Sequence, residues 1–188
     1  MKIVTSQQMR NIEKRSSDAG VSPDTLMENA GLAVARRIKT YLSLVKNPFV
    51  VILVGPGNNG SDGLLTARHL RSFGISVTVY VCQKRNTDDP MLDTARDQGA
   101  TIIYASGNTG PTMLRKQLES AHMVVDAMLG TGFNRAIEGD IAQTLATVTS
   151  AMVTRKDLQV LALDIPSGLD ADSGAVDPLT LVADFTVS

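Results

Sequence analysis

Apolar residues recur at three- and four-residue intervals near the start of the chain and then give way to short uninterrupted runs. Met9 and Ile12 form a small apolar stripe behind Thr5 and Gln8, which are spaced as a capping box, and Gly20 ends that helix. Ser22-Pro23-Asp24 supplies the next cap, with proline in the first turn. Leu26, Met27, Ala30, Ala33, Val34 and Ile38 carry the helical period onward, so a second helix reaches about Leu42. From Phe49 the pattern alternates. Runs rich in β-branched residues at 49–54, 77–82, 101–104, 123–127 and 160–165 read as strands, and 185–187 begins another. Between them, 60–73, 90–98, 111–120 and 141–150 read as helices, with Gly74 and Gly99 placed as helix ends.

Strands separated by helices imply right-handed crossovers and a mainly parallel sheet. The expected fold is α/β, a Rossmann-like three-layer αβα sandwich with two extra N-terminal helices. No internal repeat, low-complexity stretch or domain boundary stands out, so residues 1–188 read as one domain. The chain stops on its last strand, which reads as a domain truncated at its C-terminal end.

Composition narrows the class without choosing a function. Of 188 residues, 43% are hydrophobic and 20% charged, ordinary values for a globular domain with a sizeable core. The net charge of −1 and the 4% aromatic content give no footprint for nucleic acid or an acidic membrane surface. The single cysteine, Cys82, rules out an internal disulfide and a cysteine-rich zinc site, and its place at the end of an apolar run suggests a core thiol. Neither a signal-peptide pattern nor a membrane-spanning run is present, which points to a cytoplasmic protein.

Three strand ends are loaded with glycine and polar residues, and a parallel sheet places them on one edge, where ligands bind. The first is Gly55-Pro56-Gly57-Asn58-Asn59-Gly60-Ser61-Asp62-Gly63. The second is Asp126-Ala127-Met128-Leu129-Gly130-Thr131-Gly132. The third runs from Asp164-Ile165-Pro166-Ser167-Gly168 through Leu169-Asp170-Ala171-Asp172-Ser173-Gly174. A glycine-rich turn between strand and helix lets the backbone approach a ligand and points N–H groups at an anion. The first loop matches G-x-G-x-x-G, yet the next strand ends Gln83-Lys84-Arg85, with no carboxylate for an adenosine ribose. That absence argues against an ordinary nicotinamide dehydrogenase, and the lack of Gly-Lys-Ser/Thr excludes a Walker-type loop.

Asp126 and Asp164, each at a strand end, read as functional rather than as caps. Asp170 and Asp172 read as turn chemistry, with Gly174 supplying a positive φ. Lys84 and Arg85 read as a solvated face, His69 as exposed, His122 as structural, and the methionines as core filler.

These three ordered motifs, with Met27-Glu28-Asn29-Ala30-Gly31 in the second helix, resemble the NAD(P)H-hydrate epimerase family, the YjeF N-terminal domain, over essentially the whole chain. Ser61 stands where the family usually has glycine, and the family domain continues past Ser188. The resemblance implies an isomerase of metabolite repair, acting on NADHX and NADPHX, reduced cofactors hydrated at C6 of the nicotinamide ring. Asp126 would be the acid/base that helps the hydroxyl leave and activates the returning water. One K+ per subunit would be bound by Asn59, Asp126 and Ser167. Substrate would be held by Asn58, Asn59, Gly60, Ser61 and Asp62, by Gly130, Thr131, Gly132, Phe133, Asn134, Arg135 and Ala136, and by Asp164. The partners implied are this small-molecule substrate, a second copy of the chain, and a hydrate dehydratase, fused or separate, with no nucleic acid or membrane. The alternative is a non-catalytic nucleotide- or protein-binding scaffold on the same fold.

Overall fold

A computed structural model gives the architecture and describes residues 5–85, 88–107, 109–132 and 135–188. Two helices lead: α1 (Ser6–Asp18), opened by the expected Thr5–Gln8 capping box, and α2 (Pro23–Tyr41), capped by Ser22. The alternating part follows as β1 (Phe49–Val54), α3 (Asn58–Ser72), β2 (Ser76–Val81), α4 (Pro90–Asp97), β3 (Thr101–Tyr104) and α5 (Gly110–Leu118). It ends with β4 (Met123–Ala127), α6 (Gly139–Thr154), β5 (Gln159–Leu163) and β6 (Phe185–Val187).

The strands form one six-stranded sheet in the order β3-β2-β1-β4-β5-β6, with every pairing parallel. The expected α/β sandwich with two leading helices is therefore the observed fold. Strand order reverses between β1 and β4, and the crevice beyond their carboxyl ends is the topological switch point of a doubly wound sheet. The register places Leu53 beside Asp126 and Val54 beside Ala127, so the end of β1 and the end of β4 are level.

Alternation along the strands divides the core in two. Val50, Ile52, Val54, Val79, Val125 and Leu161 pack under α2, α3 and α4. Val51, Leu53, Tyr80, Val124 and Val160 pack with Leu114 and Leu118 of α5 and Leu145 and Val148 of α6. The α2 and α3 backbones approach closely where a Cβ on Gly31 would lie 2.6 Å from Leu65 Cβ. Glu28 on α2 is ion-paired with Arg68 and 2.9 Å from His69 Nε2 on α3, locking the same contact from its rim.

Several local expectations change. His69 is not exposed, because its side chain keeps only 16% of its accessible surface beside Glu28. Met123 and Met128 are core residues, but Met9 and Met113 stand at the surface at 43% and 45% exposure. The asparagine pair lies in the first turn of α3 rather than in the loop, since that helix begins at Asn58. Cys82 is buried, as expected of a core thiol. His122 accepts the Phe49 backbone N–H at Nδ1, a structural role.

Candidate functional site

The three glycine-bearing strand ends meet at the switch point. A Cβ on Gly55 would fall 1.8 Å from the Met128 carbonyl oxygen, so the first loop and the second touch backbone to backbone. Gly55 N–H also donates to Ala127 O at 3.2 Å, extending the β1–β4 pairing beyond the strands. A Cβ on Gly130 would lie 3.2 Å from Asp164 Oδ2 and 3.5 Å from Asn59 Cβ, which places one residue from each loop around a single point.

Asp126 is the centre of this arrangement. It has no solvent exposure, and its carboxylate is held chiefly from the loop that follows the neighbouring strand, β5. Ser167 donates twice, its backbone N–H to Oδ2 at 2.8 Å and its hydroxyl to Oδ1 at 2.6 Å. Met128 N–H adds a longer bond to Oδ1 at 3.3 Å. Ser167 Oγ in turn accepts from Leu129 N–H at 2.9 Å, so a buried hydroxyl links the second loop to the third. Burial pushes the Asp126 carboxyl pKa above its ordinary value, against the opposing pull of the Ser167 and Met128 hydrogen bonds. A carboxylate offers about four lone-pair positions, and three donors leave one of them for a ligand. Direct reaction there requires surrounding loop atoms to move aside.

Asn59 completes the group from the first turn of α3. Its Nδ2 donates to Leu129 O at 3.0 Å, while its Oδ1 is buried with no hydrogen-bond partner among the described residues. A buried amide oxygen without a donor normally costs free energy, and such an atom is suited to a ligand. Asp164 follows β5 with φ of 69°, a left-handed conformation uncommon for a residue with a side chain. Such outliers concentrate at functional sites.

The remaining sequence candidates differ in their exposure. Asn58 is exposed, Gly60 is buried, and Ser61 and Asp62 are half-buried within α3. Thr131 and Gly132 form an exposed turn, while Gly130 packs inward against Asp164. Arg135 is exposed and lines a cavity of about 370 Å³ with Gln83, Ile137, Glu138, Gly139 and Ile141, beside the amino end of α6. Ala136 is exposed next to it. Phe133 and Asn134 lie outside the described residues.

One residue of this site escaped the sequence reading. Arg85 was expected on a solvated face, but its side chain keeps only 8% exposure. Its guanidinium donates to Asp89, to the carbonyls of Gly55 and Gly57 and to Ser61 Oγ. The signal available in the chain was Asp89 four residues on, a spacing that admits an ion pair, although the loop contacts were not legible from it. Asp170 behaves as expected of a turn residue, accepting from Ser173 N–H at 2.7 Å, Ser173 Oγ at 2.8 Å and Asp172 N–H at 3.1 Å. Gly174 beside it has φ of 74°.

A doubly wound sheet whose switch point carries a glycine-rich helix start, a buried carboxylate and a third polar loop defines an α/β domain with its candidate ligand crevice beyond the strand ends. The family described as YjeF-related protein N-terminus matches residues 23–188, and the chain belongs to that family. An NAD(P)H-hydrate epimerase of Elusimicrobium minutum is 33% identical over 191 residues, covering 99% of this chain and 84% of the relative. A bifunctional NAD(P)H-hydrate repair enzyme Nnr of Thermofilum pendens is 31% identical over 195 residues, covering 100% of this chain but only 35% of that relative. The crystal structure of the yeast protein ynu0 (YNL200c) superposes with a TM-score of 0.77 at 24% identity, covering 100% of this chain and 80% of the yeast chain, and shares the fold. No helix among the described residues is long and apolar enough to cross a membrane.

Proposed function

We propose that this protein interconverts the R and S epimers of NADHX and NADPHX at C6 of the hydrated nicotinamide ring. The observation that carries the reading is the meeting of Asp126, Asn59, Asp164 and Ser167 at one switch point, in a chain whose relatives of similar length are NAD(P)H-hydrate epimerases.

The chemistry asks little of the protein beyond a proton and a place to hold charge. Protonated Asp126 gives its proton to the C6 hydroxyl, the C–O bond breaks, and water departs. The ring-nitrogen lone pair forms the C=N bond of an iminium cation, which the Asp126 carboxylate stabilises. Water then adds to either face, and the carboxylate takes back the proton. No electrons leave the substrate. The free amides opening α3, from Asn58 to Gly60, and those of residues 130–136 bind the phosphates and ribose, with Ser61 and Asp62 beside them and Arg135 adding positive charge. Asp164 accepts a hydrogen bond from the substrate.

The donor set around Asp126 suits a monovalent cation. Asn59 Oδ1 is a buried oxygen lacking a partner among the described residues, and Asp126 and Ser167 add oxygen donors. No cluster of three or more His, Cys, Asp or Glu residues suited to a transition metal occurs among the described residues. When bound, K+ supplies fixed positive charge that opposes the effect of burial on Asp126. The protein is purified and the rate at which it equilibrates separated NADPHX epimers is measured. Unchanged equilibration over background, or full activity in Asp126→Asn, overturns this assignment. Saturable NADP+ binding without turnover would instead indicate a scaffold.

A further inference from the structure

We propose that Arg85 is a positioning residue that holds the glycine-rich loop in its phosphate-binding shape, with Asp89 fixing the guanidinium from behind. The inference rests on the epimerase reading for its kinetic consequence, but its geometry stands apart from that reading.

Arg85 lies in the segment after β2, and nearly all of its polar edge is committed. Nε donates to Asp89 Oδ2 at 2.6 Å. Nη1 donates to Gly55 O at 2.5 Å and to Gly57 O at 3.3 Å, and Nη2 donates to Ser61 Oγ at 3.0 Å. The two side chains of the ion pair are 8% and 9% exposed, so solvent screens it little. Asp89 is itself fixed, because it caps α4 by accepting from Met91 N–H at 3.0 Å and Leu92 N–H at 3.4 Å. The cap of one helix therefore sets the guanidinium that sets the start of another.

The consequence follows from peptide geometry. In a trans peptide the C=O and the following N–H point in opposite directions, and no described peptide bond is cis. With Gly57 O turned onto Arg85, Asn58 N–H is directed to the opposite, exposed side. Gly55 O is turned the same way, and Pro56 has no N–H to misdirect. The first intrahelical bond of α3 runs from Ser61 N–H to Gly57 O, so the amides before it are the ones a phosphate would take. Gly60 makes room for the clamp, since a Cβ there would lie 2.1 Å from Gly55 O and 2.7 Å from Arg85 Nη1. Ser61 supplies a fourth contact through its hydroxyl. A guanidinium so fully occupied acts on substrate through the backbone rather than by touching it.

The test compares the intact protein with Arg85→Met, Arg85→Lys and Ser61→Ala, using steady-state epimerisation of NADPHX and hydrogen exchange of the amides between residues 55 and 63. Arg85→Met is expected to raise KM about tenfold with kcat within about twofold, and to speed exchange in that segment; lysine recovers part of both, and Ser61→Ala shifts KM by about threefold. A KM unchanged in Arg85→Met, or a fall in kcat alone, overturns the proposal. If Arg85→Met does not fold, an unchanged KM in Ser61→Ala overturns it. If the parent protein shows no epimerisation at all, the functional reading fails, and exchange then decides the clamp: protection equal to the parent's in Arg85→Met overturns it, and lost protection confined to 55–63 upholds it.

Discussion

Asp126 and Asp170 each accept three hydrogen bonds, yet they are held in opposite ways. Every donor to Asp170 comes from within three residues, in a turn at the surface. Two of the donors to Asp126 come from Ser167, 41 residues away, and the carboxylate has no exposure. The two acids titrate accordingly. Burial pushes Asp126 up, while the Ser173 backbone and hydroxyl pull Asp170 below its usual value. A carboxylate that local sequence can satisfy is stabilised as an anion. The difference lies in desolvation, because Asp126 is fully buried whereas Asp170 sits in a surface turn, and the Ser167 hydrogen bonds only oppose that effect.

The strongest way to break this comparison is Asp126→Asn. Epimerisation of NADPHX should fall by about 10²–10⁴-fold, the usual contribution of a general acid–base, with the circular dichroism spectrum unchanged. Asp170→Ala should leave the rate untouched, so equal losses in both variants would erase the distinction.

The next largest effect is on stability. Gly55→Ala drives a methyl group into the Met128 carbonyl, where a Cβ would sit 1.8 Å from oxygen. Overpacking of this kind costs about 1–3 kcal/mol, read as a lowered denaturant midpoint at unchanged slope. An unaltered midpoint would mean that the first two loops do not bear on each other as described.

A cation at Asn59 and Asp126 would sharpen the contrast further. KCl, relative to choline chloride at equal ionic strength, should raise the melting temperature at neutral pH. Tenfold excess over Kd corresponds to about 1.4 kcal/mol. The gain should vanish in Asp126→Asn and on acidification, where the carboxylate is protonated.

The smallest effect is the pH dependence of stability. Because its folded pKa is raised, Asp126 lowers stability as pH climbs from the ordinary carboxylate range through that folded value. Asp126→Asn should therefore gain on the parent over that window. Asp170, with its lowered pKa, contributes stability above the ordinary range and loses it as pH falls through the folded value. Its exposure keeps that loss small. Urea midpoints measured across pH for the parent and both variants check the two directions, and matching slopes would refute the contrast.

Local pattern carried most of the architecture. The runs at 49–54, 101–104 and 123–127 are strands with the boundaries the sequence implied; for the central strands at 49–54 and 123–127, apolar residues buried on both faces of the sheet leave little choice. The Thr5–Gln8 box, the Ser22 cap and the Asp170–Gly174 turn were legible for the same reason, since each is satisfied by atoms a few residues apart. The motifs also marked which strand ends converge, and a parallel sheet puts them on one edge. What the tertiary structure alone decided was the company each polar side chain keeps. Arg85 looked like surface because nothing nearby in sequence announces the carbonyls of Gly55 and Gly57, some thirty positions earlier. His69 looked exposed because its partner, Glu28, sits on another helix. Asn59 and Asp126 were visible as candidates, but the orphaned oxygen of one and the complete burial of the other depend on loops converging from three strands. Periodicity is a property of neighbours along the chain, whereas desolvation and long-range hydrogen bonds are properties of neighbours in space.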